Sequence, residues 1–177
     1  MIPASLTSWG NFPQFPQTSN AVHWRDEVPA VIKVVRDRFG TCLPYGNGRS
    51  YGDSCLAESD QVIAARGLNR MISADWTTGV VVAEAGMTLD ELLHICVPQR
   101  WFPPVTPGTK FVTLGGAVAN DVHGKNHHLC GTFGKHVRGF GLARSDAEVM
   151  TCRPRHPCGP ICSNNRRSGP DGYDHVG

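Results

Sequence analysis

From position 26 to 39 the apolar residues Val28, Val31, Ile32, Val35 and Phe39 recur at helical spacing, and Gly40 follows as a stop. That pattern predicts an amphipathic helix. Residues 41–45 form a short apolar run that reads as a buried strand leading into Gly46. Residues 61–65, 71–74 and 80–85 read as three more short strands, the last two joined by a turn at Thr77, Thr78 and Gly79. Thr88 and Glu91 have capping-box spacing, with Leu89, Leu92, Leu93 and Ile95 as the apolar side of a second helix that Pro98 ends. The first 20 residues, rich in Pro, Asn, Ser and Thr, read as a lead-in. Between 103 and 134 the Gly, Pro and His residues come too densely for a regular core element, and strand-like alternation returns over 137–149. Strands and helices are mixed without an internal repeat, so the class is α+β or α/β.

The 177 residues suit one ordinary domain, with 40% hydrophobic and 18% charged residues, a globular rather than a disordered composition. A formal charge of +2 gives no reason to expect a nucleic acid or an anionic membrane as partner. No apolar run reaches the roughly 18 residues of a membrane span, and the N-terminus lacks a signal-peptide pattern. The seven scattered cysteines read as reduced thiols of a cytoplasmic protein.

Two glycine-rich segments carry the chemistry. The first is Gly46, Asn47, Gly48, Arg49, Ser50, Tyr51 and Gly52. Glycines let the chain turn tightly, and successive N–H groups in such a turn make an anion-binding concavity, with Ser50 and Arg49 as further donors. The spacing is neither that of a Walker A loop nor that of a Rossmann fingerprint. The second segment runs from Thr106, Pro107, Gly108 and Thr109 through Val112, Thr113, Leu114, Gly115, Gly116, Ala117, Val118, Ala119, Asn120, Asp121, Val122, His123 and Gly124. Small side chains in a row suit a flat group lying on the backbone, and they equally suit a helix packed close on a strand. His123 is a core residue, a ring contact or an attachment point on this pattern. His123, His127, His128 and His136 match no compact zinc spacing, so no metal site is assigned.

In this order, GNGRSYGDS and then TPGTKFVTLGGAVANDVHGKNHHLCGTFG resemble the FAD-binding domain of vanillyl-alcohol-oxidase or PCMH-type flavoproteins, with the nearest likeness to oxidases of decaprenylphosphoryl-ribose type. The resemblance runs from about Ser8 to Cys152. It implies an α+β fold of two small α/β subdomains over residues 21–152, with the C-terminal substrate domain absent. It implies that Gly46, Asn47, Gly48, Arg49, Ser50 and Tyr51 hold the FAD pyrophosphate. It also implies that Gly108, Thr109, Val112, Thr113, Gly116, Asn120 and Val122 line the cofactor, with His123 near the flavin ring and FAD held noncovalently. Tyr45 stands where relatives often carry Arg, which would take one cation from the pyrophosphate site.

The implied activity is oxidation of an alcohol carbon of a small, sugar-like substrate by hydride transfer to FAD, with no catalytic base named in this chain. The alternatives are a cofactor-holding remnant without turnover, and a phosphate-sugar or nucleotide binder without flavin. After Cys152 the composition changes: residues 153–177 hold four prolines, four glycines and four arginines, with neither a helix nor a strand period. They read as a disordered or frameshifted tail. For one permitted set of codons, a shift of one nucleotide turns residues 163–177 into ATIGGLGLTGMITW, a glycine-punctuated apolar segment resembling the next stretch of the chain in relatives.

Overall fold

The computed structural model describes residues 6–14, 16–145, 147–156 and 159–163. A parallel sheet of three strands opens the fold: β1 (Thr18–Ala21), β2 (Leu43–Tyr45) and β3 (Gln61–Ala64), in the order β1-β3-β2. The strand made last is therefore the central one. Gln61, Val62 and Ile63 are buried, as a strand covered on both faces requires.

Helix α1 (Val28–Phe39) covers one face. Its Ile32 and Val35 pack with Val22, Ile63 and Leu68, and Gly40 ends it at φ +84°, a conformation that favours glycine. On the other face Tyr45, Cys55, Leu56, Ala57 and Val62 form a second cluster with Leu6. Gln17, fully buried, clamps this side: its Nε2 donates to the Ala57 carbonyl at 3.1 Å and its Oε1 accepts from the Ala57 N–H at 2.7 Å.

The second part begins with the antiparallel hairpin β4 (Met71–Asp75) and β5 (Val80–Ala83), followed by α2 (Leu89–Cys96). Leu89, Leu92 and Cys96 of α2 pack with Met87 against Met71, Val81 and Ala83 of the hairpin. The Thr88 cap is formed at both ends: its hydroxyl accepts from the Glu91 N–H and the Glu91 carboxylate accepts from the Thr88 N–H. Gly86 admits no side chain, since a Cβ there would stand 1.9 Å from the Ala65 carbonyl oxygen.

Short helices α3 (Leu114–Ala119) and α4 (His127–Cys130) follow, then the antiparallel strands β6 (Phe140–Arg144), β7 (Ala147–His156) and β8 (Gly159–Ser163). The architecture is α+β, as the sequence and the resemblance imply.

Four readings of the sequence change. The lead-in contains a true strand, β1, whose polar residues Thr18, Ser19 and Asn20 are half-buried and which is held by main-chain pairing to β3. The glycine-dense stretch contains a helix, α3, and the tail reading gives way to strand at 153–156 and 159–163, where pairing within β6-β7-β8 supplies regularity that composition lacks. Cys42, Cys55, Cys96 and Cys130 are free thiols, but Cys152 is disulfide-bonded; it is buried on β7, in register with Cys162 of β8. Cys158 and residues 164–177 lie outside the described residues, and most of the shifted-frame reading lies there with them. No helix among the described residues is long and apolar enough to cross a membrane.

Candidate functional site

The glycine-rich loop leaves the C-terminal end of β2, where strands of a parallel sheet offer their open edge to ligands. Gly48 takes φ +60°, and a Cβ there would lie 2.2 Å from the Thr7 carbonyl oxygen. The turn can be made at that position only without a side chain. Among the described residues, no main-chain N–H of Gly46, Asn47, Gly48 or Arg49 is hydrogen-bonded to a protein acceptor. Unpaired N–H groups in consecutive turn residues form a concavity with partial positive charge, which suits a phosphate oxygen. The loop therefore fits an anion.

Its side chains are arranged less simply than the sequence implies. The Arg49 guanidinium lies over the rings of Trp9 and Phe111, at 5.5 and 5.9 Å, with the side chain exposed. Ser50 is half-buried beside Cys55; burial pushes the Cys55 thiol up, against the opposing pull of the Ser50 donors. Tyr51 is 83% exposed. Tyr45 does not border the loop's open side: its ring is buried in the core and its hydroxyl donates to the Thr7 carbonyl at 2.7 Å. The side chain at position 45 is thus part of the core beneath the loop.

The second segment meets the first at its middle. Asn47 Nδ2 donates to the Phe111 carbonyl at 2.8 Å, and a Cβ on Gly46 would stand 2.5 Å from Thr113 Oγ1. Thr113 is buried and caps α3, its hydroxyl accepting from the Gly116 N–H at 3.2 Å. The next donors of that helix are used within the fold: Leu114 N–H bonds the Met87 carbonyl and Gly115 N–H the Ala85 carbonyl, both at 2.7 Å. Val112 packs beside Met87, Gly108 has open space around its Cα, and Thr109 holds the turn by accepting from Phe111 N–H at 3.2 Å.

Asn120, Val122 and His123 lie at the far end of α3, about 9 Å of helix away for a six-residue element. Asn120 is exposed and donates to the Gly116 carbonyl at 3.0 Å. Val122 bonds Ala117 and Phe133 through its main chain, and His123 pairs with Thr132 in an isolated bridge. The exposed His123 ring meets His127 edge-on at 5.1 Å. Among the described residues no group of three or more His, Cys, Asp or Glu side chains is placed to hold a metal.

The structure thus gathers Gly46, Asn47, Gly48, Val112, Thr113 and Gly116 at one end of α3 and Asn120, Val122 and His123 at the other. Sequence reasoning missed Thr7, Trp9 and Phe111, which border the loop, and Gly124, whose Cβ would stand 2.6 Å from the Thr106 carbonyl oxygen. Of these only Gly124 carried a signal, as a glycine inside the motif.

Residues 20–153 match the family described as FAD binding domain. The chain is 41% identical over 155 residues to the decaprenylphosphoryl-beta-D-ribose oxidase of Mycolicibacterium smegmatis, a match that covers 86% of this chain and 33% of that protein. It is 26% identical over 139 residues to the mitochondrial D-2-hydroxyglutarate dehydrogenase of Rattus norvegicus, covering 77% of this chain and 25% of that protein. Among solved structures it is similar to an alkyldihydroxyacetonephosphate synthase, with a TM-score of 0.66 at 17% identity over 88% of this chain and 28% of the other, a likeness of fold. The chain spans a third or less of the length of these proteins.

Proposed function

Because the chain belongs to the PCMH-type family of FAD-binding domains of flavin-dependent oxidoreductases, we propose that it holds FAD along α3 in an enzyme that oxidises an alcohol carbon of a sugar-like substrate. The unpaired amides of residues 46–49 carry this reading, since they give a pyrophosphate a ready set of donors. Gly46, Asn47 and Gly48 hold the phosphates by main chain, with Arg49 and Tyr51 at the rim and Ser50 bracing the loop from below. Gly108, Thr109, Val112, Thr113 and Gly116 line the dinucleotide. Asn120, Val122 and His123 face the isoalloxazine at the other end of α3.

Bound FAD would supply the redox chemistry, as the hydride acceptor for an alcohol carbon. This chain's residues bind and orient. The Gly46 and Thr113 contact fixes the distance between the phosphate end and the ring end, and His123 offers a polar edge to the ring. The sugar-like substrate is supported by the ribose in the name of the relative at 41% identity.

The test is the visible spectrum of the purified chain after incubation with FAD and desalting. Flavin bands that stay with the folded chain and are released on denaturation are expected. A folded chain that retains no flavin would sink the proposal, and bands that precipitate with the protein would replace noncovalent binding by a covalent link, with His123 the first position to map.

A further inference from the structure

We propose that Tyr45 is a positioning residue for the cofactor site, acting through its hydrogen bond to Thr7 to hold residues 6–11 as a strap beneath the glycine-rich loop. The inference rests on the reading of that loop as the pyrophosphate cradle.

The strap is tied to the loop at successive positions. Leu6 packs in the cluster that contains Tyr45, and Tyr45 Oη donates to the Thr7 carbonyl at 2.7 Å. That bonded pair fills the space beneath Gly48: a Cβ there would lie 2.2 Å from the Thr7 oxygen and 2.3 Å from Tyr45 Oη. Ser8 is 2% exposed, so the strap is anchored in the fold at that residue, with Trp9 following it at the surface. Trp9 N–H then donates to the Ser50 carbonyl at 3.1 Å, while the Trp9 ring carries the Arg49 guanidinium. Asn11 N–H closes a turn on the Ser8 carbonyl at 3.2 Å.

The consequence concerns preorganisation. Among the described residues the loop's amides have no protein acceptors to fix them, so their arrangement depends on what lies beneath and beside them. Thr7 and Trp9 supply that support on either side of Ser8. A loop already shaped for its ligand binds more tightly than one that must be ordered on binding. Tyr45 thereby serves the site from inside the core.

Tyr45→Phe keeps the ring and removes the bond. One hydrogen bond of this kind is worth about 1 kcal/mol, so the FAD dissociation constant is expected to rise about fivefold. Trp9→Ala keeps the main-chain bond to Ser50 but removes the ring that packs the strap against the Arg49 guanidinium, and is expected to weaken FAD to a similar degree. Because both act through one strap, the double variant should bind little worse than either single one. Dissociation constants come from quenching of flavin fluorescence, with thermal midpoints measured in parallel without FAD.

Weaker binding in both variants, without multiplication in the double, supports the proposal. Midpoints lowered with the dissociation constants unchanged overturn it, because Tyr45 is then structural only; multiplied effects also overturn it, because the two ties are then independent. Should Tyr45→Phe fail to fold, Trp9→Ala with unchanged FAD affinity overturns it alone. Retention of no flavin by the unsubstituted folded chain overturns the cofactor reading itself and this inference with it. Tight binding there with unchanged variants overturns only the strap.

Discussion

Gly46→Ala tests the contact on which the candidate site turns. A Cβ at position 46 would lie 2.5 Å from Thr113 Oγ1, but only 3.4 and 3.5 Å from its Cγ2 and Cβ. Contact of ordinary length therefore requires a movement of about 1 Å, concentrated on the hydroxyl. That hydroxyl caps α3, so it cannot turn away without losing its bond from Gly116 N–H. Overpacking costs about 1–3 kcal/mol and loss of a cap about 1 kcal/mol more. Stiffening of the unfolded chain by alanine returns roughly 0.5 kcal/mol. A net loss of about 1.5–3.5 kcal/mol lowers the thermal midpoint by roughly 3–14 °C for a chain of this size.

The decisive measurement is the cycle with Thr113→Ala. That substitution alone removes the cap at a cost of about 1 kcal/mol, but it also deletes the atom that the new Cβ would strike. The double variant should thus cost well under the sum of the two singles, by about 1–2 kcal/mol. Urea titrations of the four proteins, with equal m-values, give the comparison. Additive costs would refute the reasoning, since they would mean that positions 46 and 113 do not touch.

Other consequences are as direct. The Arg66 guanidinium beside Glu91, with the Thr88 donors, holds its carboxyl down to about 2, against 4.5 ordinarily. A depressed carboxyl adds stability that is whole above about pH 4.5 and disappears as pH falls to about 2, so Glu91→Gln should flatten that stretch of the stability curve. The side chain is 35% exposed, which limits the effect to about 1 kcal/mol in acid denaturation followed by circular dichroism. Gln17→Leu leaves the Ala57 N–H and carbonyl without the clamp and should cost about 2–4 kcal/mol, read from the urea midpoint. Gly86→Ala, with its Cβ 1.9 Å from the Ala65 oxygen, should abolish cooperative melting; an ordinary melting curve would show that the chain can open there.

Periodic apolar patterning made α1, α2 and the strands β2 to β5 legible, and the Thr88 to Glu91 spacing gave the cap of α2 to the residue. What escaped was structure created by partners distant in sequence. β1 is Thr-Ser-Asn-Ala, with no apolar alternation, and becomes a strand because β3 presents a free edge to it. α3 is Leu-Gly-Gly-Ala-Val-Ala, poor in intrinsic helix propensity, and forms because Thr113 caps it while Met87 and Ala85 take its first amides. At the candidate site, the motifs named the residues, but not their orientation. That the Tyr45 hydroxyl meets the Thr7 carbonyl is the result of packing beneath the loop, which no local pattern encodes.

The order β1-β3-β2 has a consequence for synthesis on the ribosome. β1 and β2 both pair with β3, which emerges after them. Until Gln61–Ala64 leaves the exit tunnel, neither earlier strand has its partner, and α1 has only part of the surface it will cover. The nascent chain must carry two unpaired strand edges through that interval, the condition under which growing polypeptides attract chaperones or one another. The glycine-rich segment is itself made in that interval, after β2 and before the strand that anchors it.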